Sequence, residues 1–152
     1  MEYYTGGLIH SGDFDISTIS QDVLERELEK LGFVREVNGS RLARGLFHPH
    51  LDMSVEVVSK PLFDGKSDLT RLVLVRVAGH DLAVPPVEDM IADRMGQFNS
   101  RDGGVPEMLD QAIKLYLLAS EVDETYLEER IRQETLGGYG LQFLKAKADG
   151  PS

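Results

Sequence analysis

Apolar positions along the chain change period twice. Ile19, Val23, Leu24, Leu28 and Leu31 recur at three- and four-residue spacing, which predicts an amphipathic helix closed by Gly32. Ser17-Thr18-Ile19-Ser20 offers hydroxyl caps ahead of it, and Asp22 lies near its first turn. From Phe33 to Val84 the pattern shortens. Residues 33–37 predict a strand, Asn38-Gly39 a tight turn, and the β-branched runs at 42–47, 53–58, 69–77 and 82–84 further strands. Ala78-Gly79-His80-Asp81 fits a hairpin turn, and the loop 63–68 around Gly65 is expected to be exposed and mobile. Ahead of all this, residues 13–17 suit a strand entered from a turn, whereas 1–5 are too short to assign.

Pro85-Pro86 stops the sheet, and helical spacing returns with Val87, Ile91, Met95 and Phe98, led by Glu88 and Asp89 at the favourable end of the helix dipole. A polar break at 99–104 precedes a second helix from Pro106-Glu107, with Leu109, Ile113, Tyr116 and Leu117 expected inward. Asp123 caps a third helix with a charged surface, ended by Gly137-Gly138. Leu141, Phe143 and Leu144 are placed to pack back before a frayed tail from Lys145. Met90, Met95 and Met108 fall at helical core positions. The expected fold is α+β: one domain over 1–152 with a small mixed or antiparallel sheet in the sheet-rich 1–84. Its helices pack on one side, the helical part spans 85–144, and 145–152 form the frayed tail.

Composition narrows the chemistry. The 152 residues contain no cysteine, which removes disulfides, thiolate metal sites and cysteine nucleophiles. A net charge of -10 argues against broad binding to nucleic acid or an anionic membrane, both of which need a basic surface. No apolar run approaches the roughly 18 residues that span a bilayer, and the first residues lack the basic and apolar regions of a signal peptide. A cytoplasmic location is the expectation.

The candidate chemistry centres on Gly12-Asp13-Phe14-Asp15-Ile16. Alternate residues of a strand share a face, so Asp13 and Asp15 point the same way and repel unless a cation lies between them. Such oxygen donors suit Mg²⁺, which takes one or two carboxylates together with substrate phosphates. Glu56, mid-strand between valines, is the best third carboxylate, and Asp52 the fallback. The alternative is that Asp13 and Asp15 shape a turn and cap the next helix while Glu56 faces solvent. His48-Pro49-His50, with Asp52 nearby, also has a spacing that a transition metal accepts, although such residues are more often ordinary loop histidines; His10 precedes the aspartates. No serine-hydrolase elbow, P-loop or dinucleotide fingerprint is present.

The stretch Tyr3-Tyr4-Thr5-Gly6-Gly7, followed by His10-Ser11-Gly12-Asp13-Phe14-Asp15-Ile16, resembles the start of small bacterial proteins of the nucleotidyltransferase superfamily. These share the DNA polymerase β-like fold, and the resemblance is nearest to the abortive-infection toxin subgroup. Val84-Pro85-Pro86-Val87-Glu88-Asp89-Met90-Ile91-Ala92-Asp93-Arg94 resembles the start of that family's following helix, and Asp110 resembles an acidic residue of the helix after it. The resemblance implies that Asp13, Asp15 and Glu56 bind Mg²⁺ and support nucleotidyl transfer from a nucleoside triphosphate to an acceptor. Arg94 would lie near the nucleotide phosphates or brace Asp110 across two helices, the brace being preferred. Ser11 and Lys60, in flanking loops, are further candidates for steadying phosphate. Gly6 and Gly7 stand closer to Asp13 than the family's phosphate-contacting glycine pair does. The expected pair would fall at or before Met1, so either translation starts upstream or the phosphate loop is missing.

A second expectation follows from that gap: a catalytically degenerate member of the fold, serving as a binding module in a toxin–antitoxin or phage-defence pair. Its acidic surface would suit a basic protein partner, and an unpaired sheet edge would suit a homodimer.

Overall fold

The structure, a computed structural model, describes residues 1–9, 13–38, 41–58, 61–100 and 104–150. The chain groups into two compact units, one formed by residues 11–65 and the other by 1–10 with 66–152. The α+β class expected from the sequence is present, with six helices and two small sheets among the described residues.

The first unit is a mixed sheet with one helix on it. Strands β1 (Asp13–Ile16), β2 (Val34–Asn38), β3 (Arg41–His48) and β4 (Met53–Val57) lie in the order β1-β4-β3-β2. β1 runs parallel to β4, while β3 is antiparallel to both β4 and β2. Helix α2 (Gln21–Lys30) buries Leu28 and half-buries Leu24 against Phe33, Leu46 and Val55, with Ile16 and Met53 beside them. Each fully buried aliphatic or aromatic side chain of this kind contributes about 1.5–3 kcal/mol. Arg35 shares the Leu46 side of the sheet by register and pairs there with Glu25 and Glu29 of α2.

The helical stripe anticipated from Ile19 to Leu31 is narrower than its spacing suggests. The helix starts after Ser20, so Ile19 precedes it and is fully exposed at 105%. Val23 and Leu31 are exposed too, because only the 24/28 side of this short helix meets the sheet. Its end is as expected: Gly32 takes φ 96°, a conformation that glycine adopts without a Cβ penalty, and Phe33 N donates to Leu28 O at 3.1 Å.

The second unit is helical with a hairpin. Helix α1 (Glu2–Thr5) opens it, and β5 (Val73–Val77) pairs with β6 (His80–Val84) across the turn Ala78-Gly79. His80 and Asp81, expected in the turn, belong to β6, and 69–71, expected as strand, form a single 3₁₀ turn. Four helices follow: α3 (Val87–Phe98), α4 (Pro106–Leu118), α5 (Glu124–Glu134) and α6 (Leu141–Ala148). The sequence leads one to expect three. Leu141 and Leu144 are buried in α6, which holds 145–148 helical rather than frayed.

The core of this unit gathers Val87, Ile91, Ala92 and Met95 with Ala112, Leu115, Leu127, Ile131 and Leu144. Met90 packs against it. On α4 the buried pair is Ala112 and Leu115, with Leu109, Ile113 and Tyr116 alongside; Leu117, expected inward, turns to solvent. No helix among the described residues is long and apolar enough to cross a membrane.

Candidate functional site

The acidic residues of interest lie on the two strands that pair in parallel. Register places Asp13 opposite Ser54, Phe14 opposite Val55, Asp15 opposite Glu56 and Ile16 opposite Val57. Strand alternation then divides the residues by face. Phe14, Ile16, Val55 and Val57 share the face of buried Leu46, against which α2 packs, whereas Asp13, Asp15, Ser54 and Glu56 share the other. Asp13, Asp15 and Glu56 are all exposed.

Ser54 is intermediate in exposure, and its Oγ donates a hydrogen bond to Asp13 Oδ1. On the adjoining strand, Gly45 is the register partner of Glu56, and Phe47 that of Ser54. A Cβ built on Gly45 would stand 2.9 Å from Val55 O, so the position beside Glu56 admits no side chain without a backbone shift. Glu56 therefore adjoins bare backbone on β3.

The donor set consists of hard oxygens, which matches the preference of Mg²⁺ and gives a softer transition metal no nitrogen or sulfur ligand. Among the described residues, no three His, Asp or Glu side chains are gathered closely enough to hold a metal ion as they stand. The register brings the backbone positions together; the side chains of Asp15 and Glu56 are exposed, and that of Asp13, also exposed, is bonded to Ser54.

The other sequence candidates fall elsewhere. Ser11, Lys60 and His10 lie outside the described residues. Asp52 occupies the β3–β4 turn at φ 48° and is exposed. Arg94 belongs to α3, where its Nη1 donates to Asp93 at 2.8 Å and its Nε approaches Met1 Sδ at 3.4 Å. The brace to Asp110 is not formed: Asp110 is exposed on α4, and the adjacent Asp93 is the partner.

The His48 imidazole serves the fold. His48 Nδ1 accepts the His50 backbone N–H at 3.3 Å, which leaves Nε2 to donate to Leu31 O at 3.2 Å. Both ring nitrogens are thereby used, and the transition-metal alternative for this pair loses its donor. The imidazole instead satisfies a carbonyl left over at the end of α2.

A second polar constellation, which the sequence reading did not anticipate, lies inside the helical unit. Asp89 of α3 is 0% exposed and Arg130 of α5 is 1% exposed. Arg130 Nε donates to Asp89 Oδ1 at 2.5 Å, Nη1 to Gln133 Oε1 and Nη2 to Glu134 Oε1, both at 2.8 Å. Tyr126 OH also donates to Asp89 Oδ1, and Ser67 Oγ to Asp89 Oδ2. Nearby, buried Glu88 accepts the Asp123 backbone N–H at 2.7 Å. Burial, then the neighbouring Tyr3, Glu88 and Asp89, push the Tyr4 hydroxyl up to about 12, and it donates to Pro85 O.

A signal for this network does exist in the sequence. Arg130 interrupts the Leu127–Ile131 stripe at i, i+3, i+4, and Glu88 precedes Ile91, Ala92 and Met95 at the same spacing. Polar residues on a core stripe mark buried partners. The network is saturated with bonds among its own members, which gives it a structural role.

No protein-family model, curated protein or solved structure matches this chain.

Proposed function

We propose that the polar face of β1 and β4 binds a nucleoside triphosphate with Mg²⁺ and transfers its nucleotidyl group to an acceptor hydroxyl. The observation that supports this is the parallel register, which sets Asp15 against Glu56 and puts Asp13 on the same face one residue pair away. The motifs around Asp13 and at 84–94, which resemble those of nucleotidyltransferases, point in the same direction. Bound Mg²⁺ would supply charge neutralisation for the triphosphate and its leaving group. Asp13, Asp15 and Glu56 would hold it, and their exposed side chains are free of the burial that would penalise reorientation.

Glu56, the register partner of Gly45, would take the proton of the acceptor hydroxyl. As the acceptor oxygen bonds to the α-phosphorus, the bond from that phosphorus to the bridging oxygen breaks and pyrophosphate leaves. Ser54 keeps the Asp13 carboxylate oriented from the neighbouring strand.

The test is calorimetric titration of nucleoside triphosphates with and without Mg²⁺. Binding should require Mg²⁺ and vanish in the Asp13→Ala/Asp15→Ala protein, while Glu56→Gln retains binding and loses pyrophosphate release. Absence of Mg²⁺-dependent binding to the wild-type protein would refute the reading. Binding without pyrophosphate release from any hydroxyl acceptor would favour the non-catalytic module instead.

A further inference from the structure

The chain between Gly65 and Val73 carries a feature that stands independently of the nucleotide reading. One of the two chain crossings between the compact units falls between Gly65 and Lys66. Before it, Phe63, Asp64 and Gly65 pass through consecutive left-handed conformations, with φ of 50°, 55° and 82°. Such a run is disfavoured for the two non-glycine residues and marks a sharp turn in the connection.

After the crossing, the chain is fastened to the helices of its own unit at four successive points. Lys66 Nζ donates to Glu134 Oε2 at 2.6 Å, and Ser67 Oγ donates to buried Asp89. The Asp68 backbone N–H donates to Tyr126 OH at 3.1 Å, and Arg71 Nη1 to Asp123 Oδ2 at 2.9 Å. Arg71 also lies over the Tyr126 ring, 4.2 Å from its centroid.

We propose that Lys66–Arg71 is a releasable strap: it detaches from α3 and α5 as one local event and frees the chain at the 65/66 crossing while the helical core stays folded. Two observations carry this. The strap's grip is almost entirely polar, since Ser67 is only half-buried and Leu69 is exposed, so little apolar burial opposes its release. The buried pair beneath also survives its departure. Arg130 keeps Asp89, Gln133 and Glu134, and Asp89 keeps Arg130 and Tyr126, so no isolated charge is left inside. With the strap closed, the chain is fastened directly after the left-handed turn. With it open, the unfastened chain at this crossing extends to Arg71.

Limited trypsin digestion of the full chain tests this at the Lys66–Ser67 bond. Cleavage there should be slower than in an isolated peptide of residues 61–72. When reclosing outpaces cleavage, the rate follows the open population. Tyr126→Phe, which removes the acceptor for the Asp68 amide but keeps the ring under Arg71, should therefore accelerate cleavage about five- to a hundredfold. Ser67→Ala should act in the same direction. Cleavage at Lys114 and Arg132, inside α4 and α5, should be slower than at Lys66 in the wild-type protein, and Ile131→Val, which loosens the buried core in the strap-closed and strap-open states alike, should accelerate cleavage there while leaving Lys66 unchanged. Wild-type cleavage as fast as in the peptide would overturn the proposal. So would acceleration at Lys66 by Ile131→Val to the same extent as at Lys114 and Arg132, which would mean that the whole unit opens, or no change at Lys66 in either strap variant.

Discussion

Asp89 and Arg130 illustrate how a single residue's worth depends on what is left behind when it goes. Both are removed from water, and the attraction between them largely offsets a desolvation cost of several kcal/mol per ion. Arg130→Met would leave buried Asp89 without its cation, and should lower unfolding free energy by about 3–5 kcal/mol in urea titrations. The double variant Asp89→Asn/Arg130→Met should cost less than the two single changes together, because it leaves no charge stranded at Asp89. Strict additivity would mean that the pair is solvated in a way its burial contradicts. The opposite case is His48, whose two nitrogens each satisfy one backbone group and whose loss strands a carbonyl rather than a charge.

At the scale of elements, the junction from α2 to β2 shows local chemistry fixing a connection. Gly32 needs its positive φ, and a Cβ there would lie 3.1 Å from His48 Nε2. Gly32→Ala should destabilise by about 1–2 kcal/mol through the left-handed conformation and this contact together. In a His48→Ala background the same change should cost less, since the steric part disappears; equal costs in both backgrounds would show that the imidazole yields freely. This junction was legible in the sequence, as were the strands at 33–37, 42–47, 53–58 and 82–84, the Asp123 cap and the proline that opens α4. Local rules govern them: caps, turn residues and alternation. Less legible was whatever depends on a distant surface. Periodicity marks Ile19, Val23, Leu31 and Leu117 as apolar, yet how much of each helix is covered depends on what packs against it. The same holds for the candidate site. Asp13, Asp15 and Glu56 can be picked out by type and position, but the pairing that aligns β1 with β4 joins segments about forty residues apart and follows from no local signal. The partner of Arg130, 41 residues away, was hidden for that reason too.

The whole molecule carries a net charge of -10, and its carboxylates do not all respond to acid alike. Hydrogen bonds from Gln21 and then Arg35 hold Glu25 below the usual carboxylate range, and Thr70 does so for Asp68. The Tyr126 backbone N–H and Arg71 lower Asp123, Lys145 lowers Glu124, and the Leu141 backbone N–H lowers Glu128. Each of these groups releases its proton more readily folded than unfolded. Its contribution is complete above the unfolded values of about 3.9 for Asp and 4.3 for Glu, and is lost as pH falls through the lower folded values. Asp93 works in the other direction. Burial raises its pKa despite the neighbouring Arg94, so the folded chain binds its proton more tightly and gains relative stability as pH falls. Urea midpoints should therefore hold steady above about pH 5 and drop between about pH 4 and 3. Asp93→Asn should steepen that acid limb, because the opposing contribution of Asp93 is removed. Glu128→Gln should flatten it, since an amide oxygen still accepts from Leu141 but no longer titrates. A midpoint that rises on acidification through this range would mean that relief of the net negative charge outweighs the five lowered carboxylates. Raising the salt concentration at pH 7 separates these two effects: it should increase stability if self-repulsion dominates, and weaken the exposed pairs of Arg71 and Lys145 if local contacts do.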